Sequence, residues 1–393
     1  MQTKYIALIA IALIIGIAIG YVPNIIFPKT ATTITITSTS PIYTSIIKPT
    51  TLIFTTSATL PITIVNTLQL TWPRKIVDAL GREITFNEPP KRVVSTIPSI
   101  TEELFAIGVG DRIVGVDSYS NYPPEVLKLI NQSKITVVGG PWTLDVEKIV
   151  SLKPDVVFMC RGDTPQETVF RAKIEEARIK TFFLICDAAR SQYDIYADLM
   201  ILGQIFGVES EAEELVNEIQ QKIDSIANKL VNVSKPRVLQ LAGPPSWGLW
   251  SAGGNTFIGW LIDVAGGSNI ASGYSGWPQL SYEYILSEDP QIIIITAMGM
   301  DPKAIYEDVA KTPLVNTSAW KNGRVYLVTG EANDALSRPG PRIAEALEIL
   351  AKLIHPEIFG EIQRADIINI ATMKFDAVEY NIEIQQQALV EAI

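Results

Sequence analysis

The chain offers few side chains that do covalent chemistry. Its 393 residues include one histidine, His355, and two cysteines, Cys160 and Cys186. One histidine leaves no metal site built on several imidazoles and no triad that needs histidine as its base. There is no Gly-x-Ser-x-Gly turn and no Walker loop, and no Cys-x-x-Cys spacing that would mark a zinc site. His355 lies in "LIHPEIF" near a helix end and reads as structural. Cys160 and Cys186 each end an apolar run, "DVVFMC" and "TFFLIC". If those runs are neighbouring strands their ends meet, and the pair is either a disulfide or two buried thiols. Arg161 directly follows the first run, and Arg338 stands in "ALSRPGP" before the last helix. Each is placed to meet an anionic ligand, with an ordinary surface ion pair as the alternative. Composition leaves carboxylate chemistry open, but no other recognisable catalytic set is present and nothing in the inventory calls for a cofactor.

The elements that would position such a site are legible. In "VVSTIPSITEELFAIGVGDRIVGV", residues 93–116, two strand-like runs flank a short helix. This β-α-β unit implies parallel strands. The loop Thr96-Ile97-Pro98-Ser99 falls where strand gives way to helix, the place at which open α/β sheets hold ligands. Ser99 and Glu102 have the S-x-x-E spacing of a capping box. Further strands are expected at "KITVVGG", "DVVFMC" and "KTFFLIC".

The plan then repeats. "EKIVSLKPDVVF" (147–158) and "EYILSEDPQIII" (283–294) share Glu, Ile, Ser and Pro at identical offsets, pairing Glu147 with Glu283, Ser151 with Ser287 and Pro154 with Pro290. Each is a short helix, a proline stop and a buried strand, and each follows a tryptophan, Trp142 or Trp277. Between the halves, Leu215, Ile219, Ile223, Ile226 and Leu230 recur at helical spacing. That helix is either a strut between lobes or ordinary core. The expected fold is α/β: two Rossmann-like lobes joined by one long helix, with a cleft between them. The Pro-Ser loop is one wall and "AGPPSWGLWSAGGN" the other. The boundaries read as 74–206, 207–232 and 233–358, with an extension over 359–393 that is one more helix or a partner-binding tail.

Two segments precede the lobes. Residues 5–27 carry no charge and are long enough to cross a bilayer. Residues 1–27 are therefore a transmembrane anchor or a signal, and Lys4 favours the bulk of the chain outside the cell. Residues 28–73 are rich in Thr and Ser and read as a stalk. Three Asn-x-Ser/Thr sites, at Asn131, Asn232 and Asn316, fit an exported chain. The net charge of −10 and the lack of a Lys/Arg cluster argue against nucleic acid as a partner.

The ordered segments "RVVSTIPSITEELFAIGVGDRIVGVDSYSNYPPEV", "EKIVSLKPDVV", "SAGGNTFIGWLIDVAGGSNIA", "WPQLSYEYIL", "WKNGRVYLV" and "RPGPRIAEALEILAKLIHPEIF" resemble the substrate-binding proteins of ABC importers for cobalamin and for iron–siderophore or haem. The resemblance spans roughly residues 74–358. It implies a metal chelate held between the lobes, and no chemistry on the chain. It also implies one glutamate per lobe, here Glu147 and Glu283, docking on a dimeric permease with its ATPase subunits; the alternative for each is a helix-end charge favoured by the dipole. Trp277, in "GWPQLSYE", matches a cobalamin-contacting tryptophan. Tyr119, Trp142, Trp247 and Trp250 lie on loops at the implied cleft, where a large flat ligand needs aromatic surface. A corrinoid is the first expectation, iron chelates the second and a molybdate- or tungstate-type oxyanion the third. A surface adhesion or sensing module independent of transport is the alternative of another class. The lipid-anchoring cysteine of many relatives is missing, so the anchor falls to the N-terminal helix.

Overall fold

The structure, a computed structural model, describes residues 71–162, 164–297 and 299–373. The expected membrane anchor, most of the stalk and the end of the C-terminal extension lie outside the described residues. Among the described residues no helix is long and apolar enough to cross a membrane. Both lobes fall in one compact unit, Leu70–Ile393.

The N-terminal lobe opens with an antiparallel hairpin, β1 (Arg74–Val77) and β2 (Glu83–Phe86). Then come β3 (Val93–Ser95), α1 (Pro98–Ala106), β4 (Ile113–Val116), α2 (Glu125–Asn131) and β5 (Thr136–Val137). A small hairpin of β6 (Gly139–Gly140) and β7 (Thr143–Leu144) leads to α3 (Val146–Ser151), β8 (Val156–Cys160), α4 (Arg171–Glu176) and β9 (Lys180–Leu184). The main sheet runs β5-β4-β3-β8-β9, parallel throughout. β8 is buried at every position, as a strand covered by helices on both faces must be.

α5 (Gln192–Phe206) and α6 (Glu209–Lys229) carry the chain across. α5 starts at a capping box, Ser191 with Asp194, and stops at Gly207, whose φ of 74° is the left-handed end that glycine takes without penalty. α6 spans ~31 Å at ~1.5 Å per residue. It buries Ala212, Ile219 and Ile223 and packs on α5 of one lobe and on a C-terminal helix of the other. Its apolar stripe is thus strut and core at once.

The C-terminal lobe contains β10 (Arg237–Ala242), α7 (Phe257–Val264), β11 (Ser268–Asn269), α8 (Tyr282–Glu288), β12 (Ile292–Thr296), α9 (Pro302–Ala310), β13 (Val325–Val328), α10 (Gly330–Ser337), α11 (Ile343–Ile354) and β14 (Ile367–Asn369). Its sheet runs β11-β10-β12-β13-β14, parallel except for β14. α11 is the helix that meets α6.

Three readings change. The chain past residue 358 does not leave the lobe at once: β14 closes the sheet edge. Asp366 accepts from the Ala332 amide at the start of α10 (2.8 Å), and Arg364 reaches Glu345 on α11 (2.8 Å). Ser99 and Glu102 form no capping box. Pro98, with its fixed φ, starts α1 two residues earlier than that box would, so Ser99 lies inside the helix and Glu102 turns to the other lobe. The disulfide considered between Cys160 and Cys186 is not formed. Their strands are neighbours, but both residues are free, buried thiols. Burial raises Cys160 to about 11 and Cys186 well above its ordinary value, so both stay neutral and unreactive. His355 is buried between Glu357 (2.9 Å) and the Gly266 carbonyl (3.1 Å).

The internal repeat extends to single hydrogen bonds. Ser151 Oγ donates to the Lys148 carbonyl and Ser287 Oγ to the Tyr284 carbonyl, each three residues back and each at 2.7 Å. Glu147 and Glu283 are both the second residue of their helices, and both are exposed.

Candidate functional site

The segments that follow β4 and β13, at the C-terminal ends of those strands, meet each other. The Asn121 side chain, in the loop after β4, donates to Asp334 in the helix after β13 (2.9 Å). Between the lobes is a cavity of about 390 Å³, lined by Asn121 on one side and by Gly299, Met300, Thr329 and Gly330 on the other.

On the N-terminal wall, Asp117 shapes the loop after β4. It accepts from the Tyr119 amide (2.7 Å) and the Ser120 hydroxyl (2.5 Å), and Ser120 continues to Thr101 (2.7 Å). Tyr119 is left 47% exposed. Its ring lies beside Gly140, where a Cβ would sit 3.9 Å from Cε2. That glycine belongs to the β6–β7 hairpin whose tip presents Trp142, 60% exposed. Gln166, unremarked in the sequence, ties the wall together. Its amide donates to the Pro141 and Thr96 carbonyls (3.0 and 3.3 Å). Its oxygen accepts from the Thr96 hydroxyl (2.8 Å) and the Cys160 amide (3.1 Å). It opens a π-helical turn, Gln166–Phe170, a form that recurs at functional sites. Thr96 and Ser99 are buried behind this wall, and Pro98 is partly exposed.

On the C-terminal wall, the loop after β10 runs beside residues 276–280. Trp250 bridges Gln279, Ser251 donates to Pro278 and Leu280 to Leu249. Side chains of extended chain alternate: Leu249, Ser251 and Leu280 point inward, while Trp250, Trp277 and Gln279 face solvent. Gly248 makes this possible. Its φ is 104°, and a Cβ there would lie 2.6 Å from Gln279 Nε2 and 3.0 Å from Trp250 Nε1. Trp247 folds over Gly243 and remains 63% exposed. The five aromatics thus form two groups, one on each lobe.

The two arginines do not join them. Arg161 lines a separate cavity with Ala79, Leu80, Gly162 and Glu167, all of one lobe. Arg338 is buried in an inter-lobe charge cluster. Glu102 of α1 accepts from Arg338 (2.9 Å) and from Nε and Nη2 of Arg342 (both 2.8 Å), while Asp334 also pairs with Arg338 (2.9 Å). Two carboxylates balance two guanidiniums, and no free charge is left for an anionic ligand. A buried pair that loses one member leaves its partner uncompensated. Glu102→Gln is therefore expected to lower the unfolding free energy by about 3–5 kcal/mol, read from urea denaturation; a loss within about 1 kcal/mol, the range of an exposed pair, would contradict this reading.

Beneath the N-terminal wall lie buried acids that form no salt bridge among the described residues. Burial raises Glu103 well above its ordinary value, with help from Asp198 and Glu102; Asp198 itself is pushed to about 7 by burial. Asp117 rises to about 6 by burial, against its hydrogen bonds. Unfolded carboxyls titrate near ~4. The folded state therefore binds more protons between about pH 4 and 7, and stability falls as pH rises through that window. The urea midpoint is expected to be higher at about pH 5 than at about pH 7.5; the opposite order would show that these acids are not held protonated.

The sequence matches the periplasmic binding protein family over residues 93–332. It is 31% identical over 288 residues to an uncharacterised ABC transporter substrate-binding lipoprotein of Bacillus subtilis, covering 73% of this chain and 87% of that one. It is 31% identical over 287 residues to a cobalamin-binding protein of Halobacterium salinarum, covering 71% and 73%. The fold is similar to that of a periplasmic haem-binding protein from Pseudomonas aeruginosa, with a TM-score of 0.60 and 25% identity over 71% of this chain and 97% of that one. The chain belongs to the periplasmic binding protein family, whose members bind a substrate and do not transform it.

Proposed function

We propose that the chain captures a metal chelate with a large, partly flat ring, a corrinoid foremost, outside the cytoplasm and delivers it to a dimeric ABC permease with its ATPase subunits. The observation that carries this reading is the solvent-facing strip of Trp250, Gln279 and Trp277 on one lobe, matched by Tyr119 and Trp142 on the other. Aromatic faces suit a macrocycle, and the neighbouring amides suit its polar rim. The 31% identity to a protein named for cobalamin binding supports the corrinoid. Likeness to a haem-binding structure supports haem as the second reading. An oxyanion finds less support, because Arg338 is already paired on both sides. Membrane attachment through residues 1–27 and docking through Glu147 and Glu283 belong to the same proposal.

Equilibrium dialysis of the full-length chain against cyanocobalamin, haem and a ferric siderophore tests it. Cyanocobalamin is expected to be retained most strongly. Retention of haem or the siderophore alone would keep the importer and discard the corrinoid.

A further inference from the structure

We propose that Arg338 is a positioning residue: from the C-terminal lobe it holds the Tyr119–Asn121 loop of the N-terminal lobe, and so fixes one aromatic wall of the cleft. This rests on the reading of the cleft as the ligand site.

Both terminal nitrogens of the Arg338 guanidinium are committed across the lobes. Nη1 donates to Glu102 Oε1 (2.9 Å) and Asn121 Oδ1 (2.7 Å). Nη2 donates to the Tyr119 carbonyl (3.2 Å) and meets Asp334 Oδ2 (2.9 Å). Asn121 answers with both ends of its amide, its oxygen to Arg338 and its nitrogen to Asp334. The loop is thus gripped from its own lobe at the Tyr119 amide, by Asp117, and from the opposite lobe at the Tyr119 carbonyl, by Arg338. Tyr119 projects from between these two points.

Arg342 does a different job within the same cluster. It takes both oxygens of Glu102 and lies over the Tyr122 ring, 4.1 Å from its centre, and its other hydrogen bond goes to the Glu331 carbonyl (3.4 Å). No hydrogen bond joins it to Tyr119 or Asn121 among the described residues. The two arginines share Glu102, but only Arg338 reads the loop. A fork that binds two planar acceptors at once is a property of arginine that lysine lacks. The loop's orientation therefore depends on the lobes being held at their present angle. A ligand resting on Tyr119 would sense the opposite lobe without touching Arg338.

The test compares Arg338→Met, Asn121→Ala and Arg342→Met in the full-length chain, with two readouts. One is amide hydrogen exchange of residues 117–121 without ligand; the other is the release rate of cyanocobalamin. Arg338→Met is expected to speed both by about tenfold, the loss of hydrogen bonds to a charged group. Asn121→Ala leaves the Glu102 cluster whole and is expected to act in the same direction, which keeps the test valid if Arg338→Met folds poorly. Arg342→Met is expected to lower the unfolding midpoint and leave exchange in the loop unchanged. The proposal is overturned if Arg338→Met and Asn121→Ala both leave exchange within about twofold of wild type, a change smaller than one hydrogen bond gives. It is equally overturned if Arg342→Met loosens the loop as much as they do. If the wild-type chain fails to bind cyanocobalamin, the corrinoid reading fails, and the exchange comparison still decides this one.

Discussion

Trp277→Ala is expected to weaken cyanocobalamin binding about 30-fold or more, which corresponds to ~2 kcal/mol at a central aromatic contact. Trp277 is 47% exposed, so its removal opens no core cavity. It faces the same side as Gln279 and Trp250, one strand-like step away, and the backbone beneath it is held by the Ser251–Pro278 and Leu280–Leu249 hydrogen bonds. The indole therefore presents a fixed face and loses little freedom when a ligand covers it. The unfolding midpoint of the variant should match wild type. Trp320 supplies the contrast. It stacks on Tyr306 at 5.8 Å in the outer part of the C-terminal lobe, so Trp320→Ala should cost stability and leave affinity alone. Equal affinity losses in both variants would mean that Trp277 acts through folding.

Charge reversal at Glu147 and Glu283 should separate binding from delivery. The two glutamates occupy the same position of two equivalent helices, one per lobe, and neither forms a salt bridge among the described residues. Glu283 is held below the usual carboxylate range by its own backbone amide and the Ser281 hydroxyl, so it stays charged at any physiological pH. Equivalent charges on pseudo-symmetric lobes can address two equal subunits of a permease. Rim charges govern encounter and register more than affinity. Each single reversal, Glu147→Lys or Glu283→Lys, should cut uptake in a reconstituted system by about tenfold. The double variant should lose about a hundredfold if the sites are independent. Cyanocobalamin affinity should not change in any of the three. Full uptake by the double variant would remove both residues from docking.

The two lobes could be read from the chain because their signals are local. A short helix, a proline stop and an apolar run occur twice, and each Ser at the shared offset makes the same hydrogen bond to the carbonyl three residues back. What escaped is non-local. Glu102 meets Arg338 from 236 residues away, and no spacing rule connects them. The local pattern around Glu102 instead imitates a helix start and misplaces it. Gln166 is one glutamine on a helical turn until β3, β8 and the Trp142 hairpin converge on it. β14 is three residues in an isoleucine-rich run without clear alternation, and only its pairing with β13 makes it a strand. Arg338 shows the same limit at the site. Its chemistry was legible as anion recognition, but the anions it meets belong to the protein.

Calorimetric titration of cyanocobalamin into the full-length chain, at two temperatures, tests the central claim most directly. Binding at one ligand per chain with a negative heat-capacity change is predicted, because the ligand would bury aromatic surface from both lobes. Absence of binding heat at both temperatures, with haem binding under the same conditions, would contradict the corrinoid assignment.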